Sequence, residues 1–102
     1  MGSDICLILT GGDCPHLGAV AVAQPRKSLT DPLKISATTS NISILGHKED
    51  ELTRNAASRV ASAVSANVAV CCGIHVDHIS TFEIDGIKLM CNEVIDEAIT
   101  YI

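Results

Sequence analysis

Aromatic side chains are almost absent from this chain of 102 residues. It has no tryptophan, one phenylalanine and one tyrosine. Few rings are therefore available to stack on nucleobases, which is a common way of holding single-stranded nucleic acid. Because 47% of the residues are nevertheless hydrophobic, the core has to be built from valine, isoleucine, leucine and alanine. That composition is typical of a β-sheet covered by helices.

Positive charge is also scarce. Seven lysines and arginines stand against twelve aspartates and glutamates, and the formal net charge is −5. No basic cluster is longer than Arg26-Lys27, so a surface that follows a phosphate backbone is not expected. Nucleic acid and anionic membranes are therefore set aside as partners. The acidic balance itself is that of an ordinary solvated surface.

Signals for export or membrane insertion are missing from the sequence as well. The first residues lack the charged-then-apolar layout of a secretory signal. Cys6 stands where a myristoylation signal needs serine or threonine. No apolar run approaches the length that spans a bilayer. We therefore expect a cytoplasmic protein.

The cysteines form no recognisable redox or metal motif. There are five of them, and no two have the C-x-x-C spacing. Cys71 and Cys72 are neighbours in an apolar segment, where successive side chains point to opposite faces of a strand. We expect all five thiols to be reduced and buried, and to serve as small hydrophobic side chains.

The length allows one domain, over residues 1–102. Periodicity and turn residues predict strands over 5–10, 17–23, 35–45 and 68–72, and helices over about 49–65 and from a Ser80–Glu83 capping box onward. The acidic run Glu49-Asp50-Glu51 favours the start of the first helix. Residues 24–34 and 73–78 are predicted to be loops, and a parity shift near Ser40-Asn41 predicts a bulge. The order β-β-β-α-β-α predicts an α+β fold with a mixed sheet and two helices.

Three histidines follow the ends of three predicted strands, each near a glycine: His16, His47 and His75. We expect the first three strands to form an antiparallel meander that begins with a hairpin. A right-handed helical crossover then makes the fourth strand parallel to the third, and its unbroken apolar run predicts that both of its faces are covered. The ends of strands one, three and four then share one edge, where Asp13 and Asp77 add charge. Since titratable groups converge there, this rim is the predicted functional site.

Other interpretations of the rim stay open. Each histidine could simply cap a backbone carbonyl in its turn. The three could ligate zinc with Asp77 or His78, but ligands from separate loops without a closely spaced anchoring pair make this unfavourable, and no metal is expected. Cys14 could act as a nucleophile with His16 as its base. Pro15 holds those two side chains apart, so Cys14 is assigned no role.

Three stretches of the sequence, in this order and at this spacing, resemble a known family. They are LTGGDCPHLGAV over residues 9–20, GHKEDE over 46–51 and GIHVD over 73–77. In them the chain is similar to the prenylated-flavin chaperones, the small D subunits encoded with hydroxyarylic acid decarboxylases such as gallate decarboxylase. The resemblance covers the chain from about residue 5 to its end. It implies a fold related to proteasome assembly chaperones, which are small α+β proteins that dimerise.

The resemblance also implies a function. It predicts a non-catalytic chaperone that assists loading of prenylated flavin mononucleotide (prenylated FMN) or assembly of the decarboxylase, with the large decarboxylase subunit as partner and a homodimer as the assembly. The histidines are expected to contact the flavin phosphate or the enzyme's cofactor-binding region. The cofactor-binding positions carried over are His16, His47, His75 and Asp77, with Gly11, Gly12 and Gly73 shaping the loops.

Two alternatives to this function remain. The first is a small enzyme with a histidine or metal site. The second is a plain assembly module without a small ligand, whose working surface is the apolar stripe of the last helix, including Ile95 and Ile99.

Overall fold

The computed structural model describes residues 1–44 and 49–102. In chain order the elements are β1 (Ile5–Gly12), β2 (Ala19–Lys27), β3 (Ile35–Ser43), α1 (Asp50–Val64), β4 (Val68–His75) and α2 (Thr81–Tyr101). This confirms the predicted α+β fold and its β-β-β-α-β-α order. The strands form one mixed sheet, and both helices contribute to a single core on one of its faces.

The four strands lie in the order β1-β4-β2-β3. β4 is parallel to β1 and antiparallel to β2, and β2 is antiparallel to β3. The predicted hairpin between the first two strands is therefore wrong, and so is the meander, because β4 lies between β1 and β2. The predicted shared edge is confirmed, since β1, β3 and β4 run in the same direction and end on the same side of the sheet.

β4 takes this interior position as the most continuously apolar strand. Val68, Val70 and Cys72 are buried against the helices, whereas Ala69 and Cys71 are only half-buried on the opposite face. The prediction that both faces of this strand are covered is therefore wrong. The alternation confirms that the side chains of Cys71 and Cys72 point to opposite faces.

Two strands extend further than the sequence predicts. β2 continues through Pro25 into the predicted loop. The pairing of β2 with β4 ends where Ala23 lies opposite Val68, so the last residues of β2 pair with β3 on one side and have no strand on the other. Proline is tolerated where a strand has become an edge. β4 continues to His75, because its last residues pair with the end of β1 at Gly12.

The predicted bulge in β3 is absent. The pairing of β2 with β3 runs without interruption from Ala19–Ser43 to Lys27–Ile35. Without a parity shift, the side chain of Ile42 points away from the helices and is 69% exposed. The face of the sheet that carries no helix is therefore partly apolar.

The core beneath the helices is thin and made mainly of small side chains. Its buried members include Ala21 and Ala23 of β2, with the alanines and Val60 of α1. The capping box of α2 is confirmed, since Ser80 Oγ accepts a hydrogen bond from the Glu83 backbone N–H and the Glu83 carboxylate accepts one from Ser80. After this start, α2 buries only Cys91 and Ile95.

The five cysteines are all free, but they are not all buried. Cys72 and Cys91 are buried, Cys71 is half-buried, and Cys6 and Cys14 are exposed. The prediction of burial is therefore wrong for the last two, which lie on the helix-free face of β1 and in the connection that follows it. Among the helices of the described ranges, none has both the length and the apolar character needed to cross a bilayer.

Candidate functional site

The site is formed by the connection between β1 and β2, residues 13–18, which we call the crossing loop. Because β4 lies between the two strands, this loop has to pass across the end of β4. The backbone N–H of Asp13 donates to the carbonyl of His75 at 2.7 Å, and that of Gly18 donates to the carbonyl of Cys72 at 2.8 Å. The loop is thus tied to β4 at both of its ends.

Two glycines permit this close crossing. At Gly73 an added Cβ would overlap the backbone carbonyl of His16, which passes directly over it. At Gly12 the backbone has φ +87°, and a Cβ would overlap the carbonyl of His75, so any larger residue is strained there. Gly11 differs, because a Cβ at that position meets nothing within 4 Å.

The crossing loop brings His16 next to His75, and we call these two residues the histidine pair. Their ring centroids are 5.8 Å apart and their planes are inclined by 74°. His16 Nε2 lies 2.9 Å from Glu49 Oε1, and its Nδ1 lies 3.2 Å from the carbonyl of Cys14. His75 Nε2 lies 2.9 Å from Asp77 Oδ1. Each imidazole therefore has its own carboxylate partner.

Asp77 is held in place by the crossing loop. Its backbone N–H donates to Asp13 Oδ2 at 3.0 Å, which fastens the segment after β4 to the start of that loop. Three carboxylates therefore lie around the histidine pair, those of Asp13, Glu49 and Asp77. The imidazoles therefore lie among negatively charged groups, and the net charge of the whole chain is also negative.

Glu49 is the site residue that the sequence analysis missed, since it was assigned only to the acidic start of the first helix. It is the N-cap of α1, yet its side chain makes no capping hydrogen bond. Glutamate is not among the preferred N-cap residues, and this departure is the signal that could have revealed another role. Its side chain instead turns to His16 and is 12% exposed.

One oxygen of Glu49 is left without a hydrogen bond. The Oε2 atom is buried and has no partner in the part of the chain that the structure describes. The backbone of Glu49 is satisfied, because its carbonyl accepts from the N–H and the hydroxyl of Thr53 at 2.9 and 2.6 Å. A buried acceptor without a donor costs about 1–3 kcal/mol, so the position of this carboxylate is maintained at the expense of stability.

The two buried thiols, those of Cys72 and Cys91, are held in their unreactive protonated form by their surroundings. Burial is the largest effect and raises the pKa of Cys72. The hydrogen bond with Thr53 lowers this pKa by less, and the neighbouring Cys91 and Glu49 raise it by still smaller amounts. Burial likewise raises the pKa of Cys91. Thiolates are the nucleophilic form of cysteine, so these two protonated side chains serve as packing rather than as catalytic groups.

The structure thus brings together most of the predicted site residues. His16, His75, Asp77, Gly12 and Gly73 meet at the crossing loop, whereas Gly11 faces open space. His47 lies outside the described residues, together with Leu45, Gly46 and Lys48. Across residues 1–44 and 49–102, no three His, Cys, Asp or Glu side chains are grouped so that they could hold a metal ion.

Two cavities lie near α2. One, of about 520 Å³, is polar and includes Arg54, Ser58, Lys88 and Asn92 in its lining. The other, of about 350 Å³, lies between α2 and the end of β1, and we call it the apolar pocket. Its lining comprises Ile8, Leu9, Thr10, Gly11, Gly12, Ile74, Val76, Ile87, Met90, Cys91 and Val94.

The family model described as the prenylated flavin chaperone LpdD-like domain matches residues 1–102. Among curated proteins, none matches the chain. Since the family match covers the whole of these 102 residues, the chain belongs to the prenylated flavin chaperone family. This confirms the resemblance drawn from the three sequence stretches, and it is consistent with a non-catalytic chaperone role.

Proposed function

We propose that this chain is a non-catalytic accessory protein that holds prenylated FMN transiently and supports its loading into a hydroxyarylic acid decarboxylase. Family membership supports the choice of cofactor. The observation that carries the proposal is the histidine pair, two imidazoles with centroids 5.8 Å apart. They lie where Gly12 and Gly73 let the backbone cross closely enough to shape a binding surface. The large decarboxylase subunit is the proposed partner.

The hydrogen bonds of His16 define what this imidazole can offer. Its two ring nitrogens contact a backbone carbonyl and a carboxylate, and both of these groups are acceptors when Glu49 is ionised. A ring N–H of His16 can therefore donate to Glu49, and this contact orients the imidazole. The second oxygen of that carboxylate is buried, so Glu49 acts on a ligand through the orientation that it gives to His16.

His75 is the more accessible member of the pair. Its Nε2 faces Asp77, and a carboxylate in this position fixes the tautomer of a neutral imidazole with the proton on Nε2. The Nδ1 atom is then an acceptor. The polar edge of a flavin ring presents one N–H between two carbonyls, so a single acceptor, the Nδ1 of His75, suits that N–H.

The phosphate contact expected from the sequence remains a prediction. A phosphate at the histidine pair would approach the carboxylates of Asp13, Glu49 and Asp77 as well as the imidazoles, and like charges at such short range are unfavourable. We therefore assign the histidine pair to the polar edge of the flavin ring. Equal affinity for FMN and riboflavin would support this assignment over the phosphate contact.

One observation favours a second candidate function. A histidine oriented by a buried carboxylate, as His16 is by Glu49, is also the arrangement of many acid–base catalysts. Under this hypothesis the protein alone would convert a substrate, and Glu49→Gln would abolish turnover. Under the accessory-protein proposal the isolated chain consumes no hydroxyarylic acid, and the same variant changes only flavin affinity and loading.

Homodimer formation and a cytoplasmic location also remain proposals. The helix-free face of the sheet exposes Ile8 and Ile42 at 73% and 69% and leaves Val22 partly exposed. Sheets normally bury such a face against another layer, so we expect this face to form the dimer contact. Light scattering of Ile8→Glu and Ile42→Glu, with Leu33→Glu in the exposed 28–34 connection as the control, tests that expectation.

The assembly-module alternative needs a different variant from the one that the sequence suggests. Ile95 is 2% exposed and Ile99 packs against the core, so a charge at either position would unfold the domain. The exposed apolar side chains in the middle of α2 include Leu89, Met90 and Val94. Loss of partner binding in Leu89→Glu, with flavin affinity unchanged, would favour that alternative.

The proposal is tested by replacing the histidine pair. We expect His16→Ala/His75→Ala to bind prenylated FMN about tenfold more weakly, because neutral hydrogen bonds contribute about 0.5–1.5 kcal/mol each. The co-produced decarboxylase should then carry less cofactor. His78→Asn is the control, since His78 is exposed with φ +53°, a conformation that asparagine tolerates. The proposal is refuted if the double variant keeps the flavin affinity and the decarboxylase loading of the parent, and if a triple variant that adds His47→Ala keeps them as well.

A further inference from the structure

The hairpin of β2 and β3 extends beyond the rest of the sheet. The pairing of β2 with β4 ends at Ala23, whereas its pairing with β3 continues to Lys27. On the β3 side, Ala37 still packs against the core. Residues 26–36 therefore project from the sheet as a two-stranded unit, which we call the β-arm. Because β2 begins at the crossing loop and runs away from it, the β-arm lies at the opposite end of the sheet.

The tip of the β-arm is held together by its own hydrogen bonds. The backbone N–H of Ser28 donates to the carbonyl of Lys34 at 2.9 Å, and that of Lys34 donates to the carbonyl of Asp31 at 3.0 Å. Ser28 Oγ accepts from the backbone N–H groups of Thr30 and Asp31. The Asp31 carboxylate accepts from the backbone N–H of Leu33 at 3.0 Å. The tip is therefore ordered before it meets a partner, which lowers the entropy cost of binding.

This ordered tip presents two leucines to solvent. Leu29 and Leu33 are 88% and 94% exposed, and neither belongs to the core or packs against it. A single exposed leucine is ordinary on a protein surface. Two of them at the end of one ordered projection form a convex apolar tip, and such a tip fits a concave apolar surface.

Positive charge is concentrated on the same projection. Arg26, Lys27 and Lys34 are three of the seven lysines and arginines of the chain, and none of them forms an ion pair among the described residues. With Asp31 as its one carboxylate, the β-arm has a net charge of +2 within a chain whose net charge is −5. An acidic border around the concave surface would complement these cations and speed association.

We propose that the tip of the β-arm docks into an apolar cleft with an acidic border on the large decarboxylase subunit. This inference rests on the proposed function, from which it takes the partner, and deepens it by assigning the surface that binds that partner. Leu29 and Leu33 supply the apolar contact, and the cations steer the approach. Because the β-arm and the histidine pair lie at opposite ends of the sheet, the docked subunit does not cover the histidine pair.

The apolar contact is tested with Leu29→Ser/Leu33→Ser. The hydrogen bonds of the tip use its backbone and its polar side chains, so the variant should keep the Tm of the parent. We expect it to bind the large subunit at least tenfold more weakly in biolayer interferometry, because burial of one leucine side chain is worth about tenfold or more in affinity. Flavin affinity should stay unchanged. Leu89→Ser/Met90→Ser, which removes two exposed apolar side chains from α2, is the matched control and should bind as the parent does.

The acidic border of the cleft is tested with Lys27→Gln/Lys34→Gln. We expect slower association with the large subunit and a weaker dependence of that rate on salt, because screening acts on the charges that steer the encounter. Arg54→Gln/Lys88→Gln removes the same amount of charge from the two helices and should change neither quantity. An association rate and salt dependence equal to those of the parent in Lys27→Gln/Lys34→Gln would overturn the acidic border.

The remaining outcomes each contradict the inference in a different way. A parent chain that does not bind the large subunit refutes both the partner in the proposed function and this inference. Equal binding by Leu29→Ser/Leu33→Ser refutes the inference alone, and loss of binding in the α2 control assigns the contact to that helix instead. A lower oligomeric mass of Leu29→Ser/Leu33→Ser in light scattering would assign the β-arm to a second copy. Binding of the parent, but not of this variant, to vesicles of phosphatidylcholine and phosphatidylglycerol in equal parts would assign it to a lipid surface.

Discussion

Replacing Gly73 with alanine should loosen the crossing loop and separate the histidine pair. The added methyl group would overlap the backbone carbonyl of His16. A flexible side chain could rotate away, but this carbonyl belongs to a backbone that is tied to β4 on both sides, at Asp13 and at Gly18. The loop therefore has to move as a unit, or β4 has to bend.

The magnitude follows from the cost of overpacking. One extra methyl group in a tightly packed place costs about 1–3 kcal/mol, and the anchored loop places this site toward the upper end. For a domain of this size each kcal/mol lowers Tm by about 4–8 °C, so we expect a loss of roughly 10–20 °C. Flavin affinity should fall as well, because His16 moves with the loop away from His75.

Gly11→Ala is the contrasting variant in the neighbouring strand. It introduces the same methyl group where nothing lies within 4 Å, and glycine in a strand costs about 0.5–1 kcal/mol relative to alanine. We expect a small rise in the free energy of unfolding measured in urea, opposite in sign to the change in Gly73→Ala. If the two variants have the same stability, the proposed close passage of the loop over β4 is refuted.

Three further predictions concern the thiols and the second helix. In the native protein an alkylating reagent should modify the exposed Cys6 and Cys14, whereas Cys72 and Cys91 should react only after unfolding, as read by mass spectrometry. Because burial raises the pKa of Cys72 and Cys91 above the ordinary value of 9.0, the folded state holds these protons more tightly than the unfolded chain. The free energy of unfolding should then be insensitive to these groups below about pH 8 and fall as the pH rises past 9; substituting alanine for both should flatten that dependence. Ser80→Ala should lower the free energy of unfolding by about 0.5–2 kcal/mol through loss of the capping box, and flavin affinity should stay unchanged.

Local chemistry in the sequence was enough to predict most elements. The capping box at Ser80 and Glu83 and the helical periodicity of α1 are decided by residues close in the chain, and the structure confirms both. The strand ends were harder to predict, because they depend on which neighbours remain. Pro25 continues β2 only because that strand has lost one neighbour, and His75 ends β4 because β1 accompanies it that far.

The pairing of the strands could not be read from local patterns. Residues 11–18 contain three glycines and a proline between two apolar segments, which is typical of a hairpin connection. Whether such a segment joins neighbouring strands or crosses a third is decided by β4, more than fifty residues later in the chain. Glu49 was missed for a related reason, since its contact with His16 joins two distant segments.

The strand order that rules out the predicted hairpin also creates the site, because it places β4 between β1 and β2. In a hairpin, β4 would lie outside the first two strands, and the connection carrying His16 would close at their tip, at least one strand spacing of about 4.8 Å further from β4. His16 would then not pass over Gly73, and no glycine would be needed there. The observed order places β4 beneath the loop, so the glycines at positions 12 and 73 and the contact between the imidazoles of His16 and His75 have one common cause. A variant that weakens the crossing, such as Gly73→Ala, should therefore reduce stability and flavin binding together, whereas His75→Ala should reduce binding alone.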